Sequence, residues 1–177
     1  MRPLFRLVGL LVAAFVTTMV GCAFAAAAAK RRIVPTTDPA ADEVTLASIF
    51  GPLGFRSTAK SFRGGTLDCW YGGGVLDLRD ANLDPAGATL EVRALFGGGQ
   101  IIVPADWDVT TRVLGIGGVG DARQDVERPA NAPHLTLRGW ALFGGFALMS
   151  ELPEGEADWL TQVGAGLGRE EAPAVPA

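Results

Sequence analysis

A glycine-rich motif is the first part of this 177-residue sequence whose residue types and spacing could do chemistry. Gly115, Gly117 and Gly120 satisfy the G-x-G-x-x-G pattern of dinucleotide-binding loops. Such a loop binds phosphates only when a helix opens at the third glycine. Here residues 121–128 show little apolar periodicity, and Pro129 follows them. We therefore interpret the motif as structural and predict no cofactor.

Carboxylates gather at two places, as a cation site would require. Asp77, Asp80 and Asp84 form one group, and Asp106 and Asp108 form the other. Neither group follows the ligand pattern of a calcium loop. We interpret both as strand ends and turns, and we predict no metal site. An enzyme that uses the first group stays open as an alternative.

The remaining reactive side chains form no catalytic group in the sequence. His134 is the single histidine, and no serine lies in a G-x-S-x-G turn. Nucleophilic catalysis needs a nucleophile, a base and an orienting acid together, so we predict an exposed histidine at the start of a strand. Cys69 is predicted to be a small buried thiol. The sequence thus predicts a protein that is not an enzyme and has no catalytic residues.

The amino-terminal segment has the length and composition to enter a membrane. Residues 7–29 carry no charge, and the basic residues 30–32 (Lys-Arg-Arg) follow them. As a helix they would extend about 34 Å, enough to cross a hydrocarbon core of about 30 Å. We favour an uncleaved, single-pass anchor within residues 1–32, with the basic cluster and the following domain in the cytoplasm.

Two export alternatives stay open for this segment. Residues 23–25 (Ala-Phe-Ala) offer a small-x-small site at which a signal peptide would be cleaved. Residues 19–22 (Met-Val-Gly-Cys) have the form of a lipobox, in which Cys22 would carry the lipid of an exported lipoprotein. The basic cluster counts against both, because it would hinder export.

The charge distribution excludes one class of partner. Five of the 15 basic residues lie within residues 1–32, and all 19 acidic residues follow Arg32. The rest of the chain therefore carries ten basic and 19 acidic side chains, without the basic stripe that nucleic-acid binding requires. Residues 33–44, rich in Thr, Asp, Pro and Ala, are predicted to be a linker.

Glycines recur through residues 45–150, each time after an aromatic or aliphatic residue. The spacings of these anchors are 21, 25, 20 and 27 residues, and such repetition is typical of stacked structural units. We expect glycine there because a corner between two short strands needs a positive φ or a close backbone approach. The predicted corner residues are Gly51, Gly72, Gly73, Gly97, Gly98, Gly117, Gly118, Gly144 and Gly145.

The residues that flank the corners predict β-structure. Leu90, Val92 and Ala94 alternate with Glu91 and Arg93, which gives one apolar face. Mostly small residues stand two positions before each anchor, as a narrow interior would require; they are Ser48, Cys69, Ala94, Leu114 and Ala141. The predicted fold class is all-β: a small, single-stranded, β-helix-like solenoid of about five glycine-cornered units.

Residues 151–177 differ in character from the repeats. A short helix over residues 153–167 would place Trp159 and Leu160 on one side. Such a helix would cap the open end of the repeat domain, and residues 169–177 are predicted to be disordered. Within the repeats, Trp107 follows a turn at residues 104–106, and it is a candidate contact for a partner.

The sequence resembles a known family at its most regular repeat. Residues 90–98 (Leu-Glu-Val-Arg-Ala-Leu-Phe-Gly-Gly), 101–104 (Ile-Ile-Val-Pro) and 141–145 (Ala-Leu-Phe-Gly-Gly) resemble the LiaF-type C-terminal domain, of the cell wall-active antibiotics response family. The resemblance covers residues 45–148 and implies a small β-solenoid carried on a bacterial membrane. LiaF itself restrains a histidine-kinase response to envelope stress. The chain departs from the family in having at most one membrane span, and Ile116 in place of phenylalanine.

The predicted function is that of a non-enzymatic, membrane-tethered domain that makes protein contacts in the sensing or regulation of envelope stress. Its predicted partners are the membrane, through residues 7–29, and an unidentified protein, with self-association as a further expectation. Its predicted location is the bacterial cytoplasmic membrane. The alternative is an exported lipoprotein or a secreted binding module, with Cys22 lipidated or the segment cleaved.

Overall fold

The computed structural model describes residues 2–123, 126–129 and 131–151. The chain divides into two compact units, Met1–Val34 and Pro35–Ala177. The predicted helix over residues 153–167 and the tail that follows it lie outside the described residues.

The first unit is built on one helix, α1 (Arg2–Lys30). Its segment Arg6–Lys30 is long and apolar enough to cross a membrane, as the uncharged run predicts. The hydroxyls of Thr17 and Thr18 donate hydrogen bonds of 2.9 Å to the carbonyl groups four residues earlier. These bonds matter because an unsatisfied polar group is costly in hydrocarbon.

The second unit is a parallel sheet that is nearly barrel-like. Its strands are β1 (Glu43–Ile49), β2 (Pro52–Arg56), β3 (Gly64–Trp70), β4 (Gly73–Asp77), β5 (Ala88–Leu95), β6 (Gly98–Ile102), β7 (Asp108–Asp121) and β8 (His134–Met149). Their order is β1-β3-β5-β8-β6-β4-β2, and β7 pairs with β8. The predicted β-rich domain after an apolar helix is thereby confirmed.

Each of the first three corners joins two strands that belong to opposite halves of the sheet. Strands β1, β3 and β5 pair in one half, and β2, β4 and β6 pair in the other. Strand β8 belongs to both, since its first part pairs with β5 and its last part with β6. Apolar side chains of both halves meet in one core, whose fully buried members include Leu67, Leu76, Leu90, Ile101, Leu137 and Leu148.

The order of the strands in space departs from their order in the chain. Strand β8 lies between β5 and β7, so the fifth glycine unit stands between the third and the fourth. The side chains explain this order: Leu135, Leu137 and Leu148 of β8 are fully buried, whereas Thr111 and Arg112 of β7 are exposed. The more apolar strand is covered on both sides, and the more polar strand takes the edge.

The aromatic residues at the corners have the unusual backbone conformation. Phe50, Tyr71, Phe96 and Phe143 have φ values of 49° to 54°, which cost about 1–2 kcal/mol for a residue with a Cβ. Their rings stack in sequence, with centroids 5.2, 5.5 and 4.7 Å apart. Each stacked pair contributes about 0.5–1.5 kcal/mol, which offsets much of this strain. The positive φ thus belongs to the aromatic residue, and not to the glycine after it.

The other reason given for glycine, close approach of the backbone, applies to most of the predicted corner positions. A Cβ on Gly72 would lie 2.5 Å from the carbonyl oxygen of Gly51. Added Cβ atoms would likewise collide with the carbonyl oxygen of an aligned glycine at five other corner positions, which are Gly97, Gly98, Gly117, Gly144 and Gly145. Backbone atoms cannot move away cheaply, so these six positions accept only glycine without strain.

The fourth unit has a register that differs from the sequence-based alignment. Ile116 pairs with Leu142, and Phe143 lies opposite a bulge. Consequently Gly115, and not Leu114, pairs with the inward-facing Ala141 of β8. Leu114 is 76% exposed. The prediction that Leu114 lines the interior is therefore wrong, because this unit lacks a residue at the corner. The prediction is confirmed for the other four residues, Ser48, Cys69, Ala94 and Ala141, which are buried.

Candidate functional site

An open groove of about 710 Å³ lies across the first three glycine corners. Its lining consists of residues 50–52, 71–75 and 98–100, and six of these are glycine. None of these lining residues is charged. The groove therefore suits an uncharged ligand that can lie close to the main chain.

Two glycines in this groove are not required by the fold. Gly51 and Gly73 lack a positive φ, and a Cβ on either would meet no atom closer than 3.9 Å. Gly72 also lines the groove, but there a Cβ would collide with the carbonyl oxygen of Gly51. Because Gly51 and Gly73 have no side chains, another chain could approach the main chain of this protein closely at these two positions.

The groove also contains a buried hydrogen-bond acceptor. The Oε1 atom of Gln100 is buried and accepts no hydrogen bond from the part of the protein that the structure describes. Such a group costs about 1–3 kcal/mol while it has no partner. Because this atom is closed to solvent, a bound molecule would recover the cost only after the Gln100 side chain turned toward the groove.

The stacked aromatic rings form a ridge beside the groove. Phe50 and Tyr71 belong to the groove lining. The two ends of the stack are open to solvent, since Phe50 is 48% and Phe143 is 55% exposed. Exposed aromatic side chains on a rigid backbone are favourable anchors for a protein partner, because they bury a large area at low entropic cost.

Each of the three aspartates considered as cation ligands is engaged by groups of the protein itself, and Arg56 Nε, which pairs with Asp80, also lies 3.8 Å from Oδ2 of Asp77. Asp77 accepts two side-chain hydrogen bonds from Arg79, at 2.9 and 2.8 Å. Asp80 pairs with Arg56 at 2.6 Å, while Asp84 accepts hydrogen bonds from a serine hydroxyl and a backbone N–H. Within the described ranges, no group of three His, Cys, Asp or Glu residues is placed to hold a metal ion.

A second buried carboxylate is paired on a neighbouring strand. Asp68 is 3% exposed and accepts two hydrogen bonds from Arg93, at 2.6 and 2.9 Å. Burial raises the pKa of Asp68, and the hydrogen bond and charge of Arg93 only partly oppose this effect. The adjacent Cys69 is fully buried, and burial, reinforced by the Asp68 carboxylate, raises its pKa to about 12. The thiol is therefore protonated at neutral pH, and the prediction of a buried, unreactive cysteine is confirmed.

His134 has partners that the sequence did not reveal. Its Nδ1 lies 2.9 Å from Oδ2 of Asp108, and its Nε2 lies 3.4 Å from Oγ1 of Thr136. Parallel pairing of β7 with β8 places His134 opposite Asp108. The prediction of an exposed histidine at the start of a strand is confirmed, since β8 begins at His134 and its side chain is 46% exposed; the acid and the hydroxyl beside it were not predicted. Asp108 and His134 are 26 residues apart in the sequence. This separation is close to one repeat, and it was the signal from which their pairing could have been predicted.

The arrangement around His134 is nevertheless open to water. The side chains of His134 and Asp108 are 46% and 56% exposed. Activation of a hydroxyl depends on a water-poor site with fixed donors for the developing negative charge. We therefore assign this group to the pairing of the first residues of β7 and β8, where it links the two strands.

Two other predicted site residues are placed as follows. Trp107 is 3% exposed and belongs to the core, so its side chain is not available for the partner contact that the sequence suggested. Cys22 lies within α1 and is partly exposed. Its lipidation stays a prediction.

Comparison with known proteins gives no match. No family model matches the sequence, and no curated protein and no solved structure matches it. The LiaF-type resemblance therefore rests on the quoted residues alone, and no match supports or refutes it.

Proposed function

We propose that the chain is a non-enzymatic protein-interaction domain, folded as a β-helix-like solenoid and tethered to a membrane by α1. Support for the solenoid comes from the register, in which equivalent positions of successive units pair directly. Ile49 pairs with Trp70, Trp70 with Leu95, and Leu95 with Leu142. Stacking of repeated units produces this kind of ladder.

The observation that carries the proposal is the uncharged groove, whose glycine floor includes two glycines, Gly51 and Gly73, that the fold itself does not need. Gly51 and Gly73 leave room for a partner's main chain, while Gln100 contributes a polar side chain to the lining. An apolar wall with a few convergent polar groups is typical of binding sites. We infer that the groove takes an extended, uncharged segment of a partner protein.

Sensing or regulation of envelope stress is the role that the LiaF-type resemblance implies for this contact. In this proposal, α1 crosses a bacterial cytoplasmic membrane once. The basic residues 30–32 keep the following domain on the cytoplasmic side, because basic flanks resist translocation. A cytoplasmic regulator is then within reach of the groove.

The experiment is site-specific crosslinking in native membranes, with a photo-reactive residue in place of Pro52 in the groove. We expect capture of one defined protein, and we expect Gly73→Leu to abolish it, because the new side chain fills the groove without meeting the fold. Gly118→Leu is the matched control, since a Cβ there also meets nothing within 4 Å but lies outside the groove. Capture that persists in Gly73→Leu, or no capture at all, would contradict the proposal.

The second candidate is an exported lipoprotein or secreted binding module, and residues 19–22 (Met-Val-Gly-Cys) are the observation that favours it. The intact mass of the native protein separates the two. A chain that retains residues 1–25 supports the anchor. A diacylglyceryl group on an amino-terminal Cys22 supports the lipoprotein, and a chain that starts at residue 26 supports cleavage.

A further inference from the structure

Among the residues that the structure describes, strand β7 lies at an edge of the sheet. It has 14 residues and pairs with β8 along nearly its whole length. None of the strands that the structure describes pairs with its other side. The main-chain N–H and C=O groups on such an edge are a template for another strand.

Strand β7 also exposes apolar side chains along this edge. Leu114 and Ile116 are 76% and 70% exposed on the outer face. On the inner face, Val113 and Val119 are only partly buried against the end of the core. Covering this end would remove apolar surface from water at about 25 cal/mol per Å².

At the opposite end of the sheet, the linker is hydrogen-bonded to β1. The Thr36 N–H donates to the carbonyl of Thr45 at 2.8 Å, and the Thr45 N–H donates to Oγ1 of Thr36 at 2.9 Å. Head-to-tail stacking of copies, β7 upon β1, would have to displace these bonds. A contact between two β7 strands displaces nothing, and such a contact closes with two-fold symmetry.

We propose that two copies of this chain associate through antiparallel pairing of their β7 strands, about a two-fold axis at Gly115. The inference rests on the proposed interaction domain and names a second copy as one of its partners. In this register Leu114 lies opposite Ile116 of the other copy, twice per dimer. Asp108 and Asp121 face Ala122 and Val109, whereas a shift of one residue would oppose the two aspartates.

The size of the surface fits a weak dimer. Fourteen residues extend roughly 46 Å, and a face about 10 Å deep buries roughly 900 Å² over both copies. This lies at the low end for specific interfaces, so association in solution is expected to be weak. Attachment of both copies to one membrane raises their effective concentration and favours the dimer.

The test is sedimentation equilibrium of the full chain in detergent. We expect a reversible dimer, and we expect Leu114→Lys with Ile116→Lys to weaken its association at least tenfold, because the lysines place like charges opposite each other. Val34→Lys is the matched control, since Val34 is 85% exposed and lies outside the sheet. A wild-type chain that stays monomeric up to about 100 µM, or a double variant that associates like wild type, would overturn the inference.

The register is tested by disulfide formation in a Cys22→Ala background. Mixed Leu114→Cys and Ile116→Cys chains are expected to crosslink faster than either chain alone, since only the mixed pair lies directly opposite. Equal rates would overturn the register. If the chain dimerises but crosslinking at Pro52 captures no protein, only the proposed groove partner is refuted. If crosslinking captures a protein but the chain stays monomeric, only the proposed dimer is refuted.

Discussion

Two buried carboxylates in the same sheet have pKa values shifted in opposite directions. Burial alone would raise the pKa of Asp77, but the side-chain and backbone hydrogen bonds from Arg79 outweigh it, and the charge of Arg56 adds to them, so the pKa is lowered. Asp68 accepts hydrogen bonds from the side chain of Arg93, and these do not outweigh burial, which raises its pKa. Asp68 thus stabilises the fold at low pH, and this contribution is lost as the pH rises through its folded pKa.

Asp77→Asn is expected to change the acid stability of the protein. The lowered pKa of Asp77 gives stability that is complete above the unfolded value of about 3.9 and is lost as the pH falls through the folded value. The variant should lose this pH dependence and about 1–3 kcal/mol of unfolding free energy at neutral pH. Urea denaturation across the acid range measures both quantities.

Asp80→Asn is the control for this prediction, because its side chain is 45% exposed and its pair with Arg56 is screened by water. It should leave the unfolding free energy nearly unchanged. An Asp77→Asn variant with the same pH profile as wild type would refute the assignment.

At the scale of the elements, each regular corner is formed by two consecutive residues with different roles. The aromatic residue adopts the left-handed conformation and stacks on its neighbours. The glycine after it permits the carbonyl of the adjacent strand to approach. The β-bulge between Ile116 and Gly117 marks the unit in which the aromatic residue is missing. Strand β7 is thus the least regular strand, and it lies at the edge.

Gly97→Ala and Gly51→Ala separate the two kinds of glycine. A Cβ on Gly97 would overlap the carbonyl oxygen of Gly72, whereas one on Gly51 meets nothing within 4 Å. We expect Gly97→Ala to lower the unfolding free energy by about 1–3 kcal/mol. Gly51→Ala should change it by less than about 0.5 kcal/mol. Thermal melts of the full chain compare them, and equal midpoints would show that close approach does not restrict Gly97.

At the scale of the whole molecule, the chain combines an apolar helix with a β-rich unit of opposite character. The helical segment Arg6–Lys30 is uncharged between its ends. The described β-rich unit buries most of its apolar residues in its own core and pairs its two buried carboxylates, Asp68 and Asp77. The helix therefore has the composition of a membrane segment, and the sheet has that of a water-exposed domain.

Val16→Arg tests the membrane role of α1. An arginine near the centre of a membrane helix costs about 2.5–3.5 kcal/mol on insertion, so the full chain should shift from the membrane to the soluble fraction. Val34→Arg, outside the helix, should not change the distribution. The share of each chain that stays in the membrane fraction is measured after extraction of the membranes at alkaline pH. A Val16→Arg chain that resists extraction like wild type would argue against a spanning helix.

The sequence by itself determined the features that depend on neighbouring residues. The uncharged run predicted α1, the alternation of Leu90, Val92 and Ala94 predicted a strand, and the recurring glycines predicted the corners. These signals are local, because the period of apolar residues follows directly from the geometry of helix and strand. Four of the five predicted interior residues likewise followed from their distance to a corner, and only Leu114 did not.

Only the tertiary structure decided which strands become neighbours. The insertion of β8 between β5 and β7, the shifted register at Ile116, and the meeting of Asp108 with His134 all depend on pairing between distant segments. A repeat specifies the shape of each unit, but its place in the stack is chosen by how well its side chains fill the shared core. Because β8 is the more apolar strand, it occupies the interior position and leaves β7 at the edge.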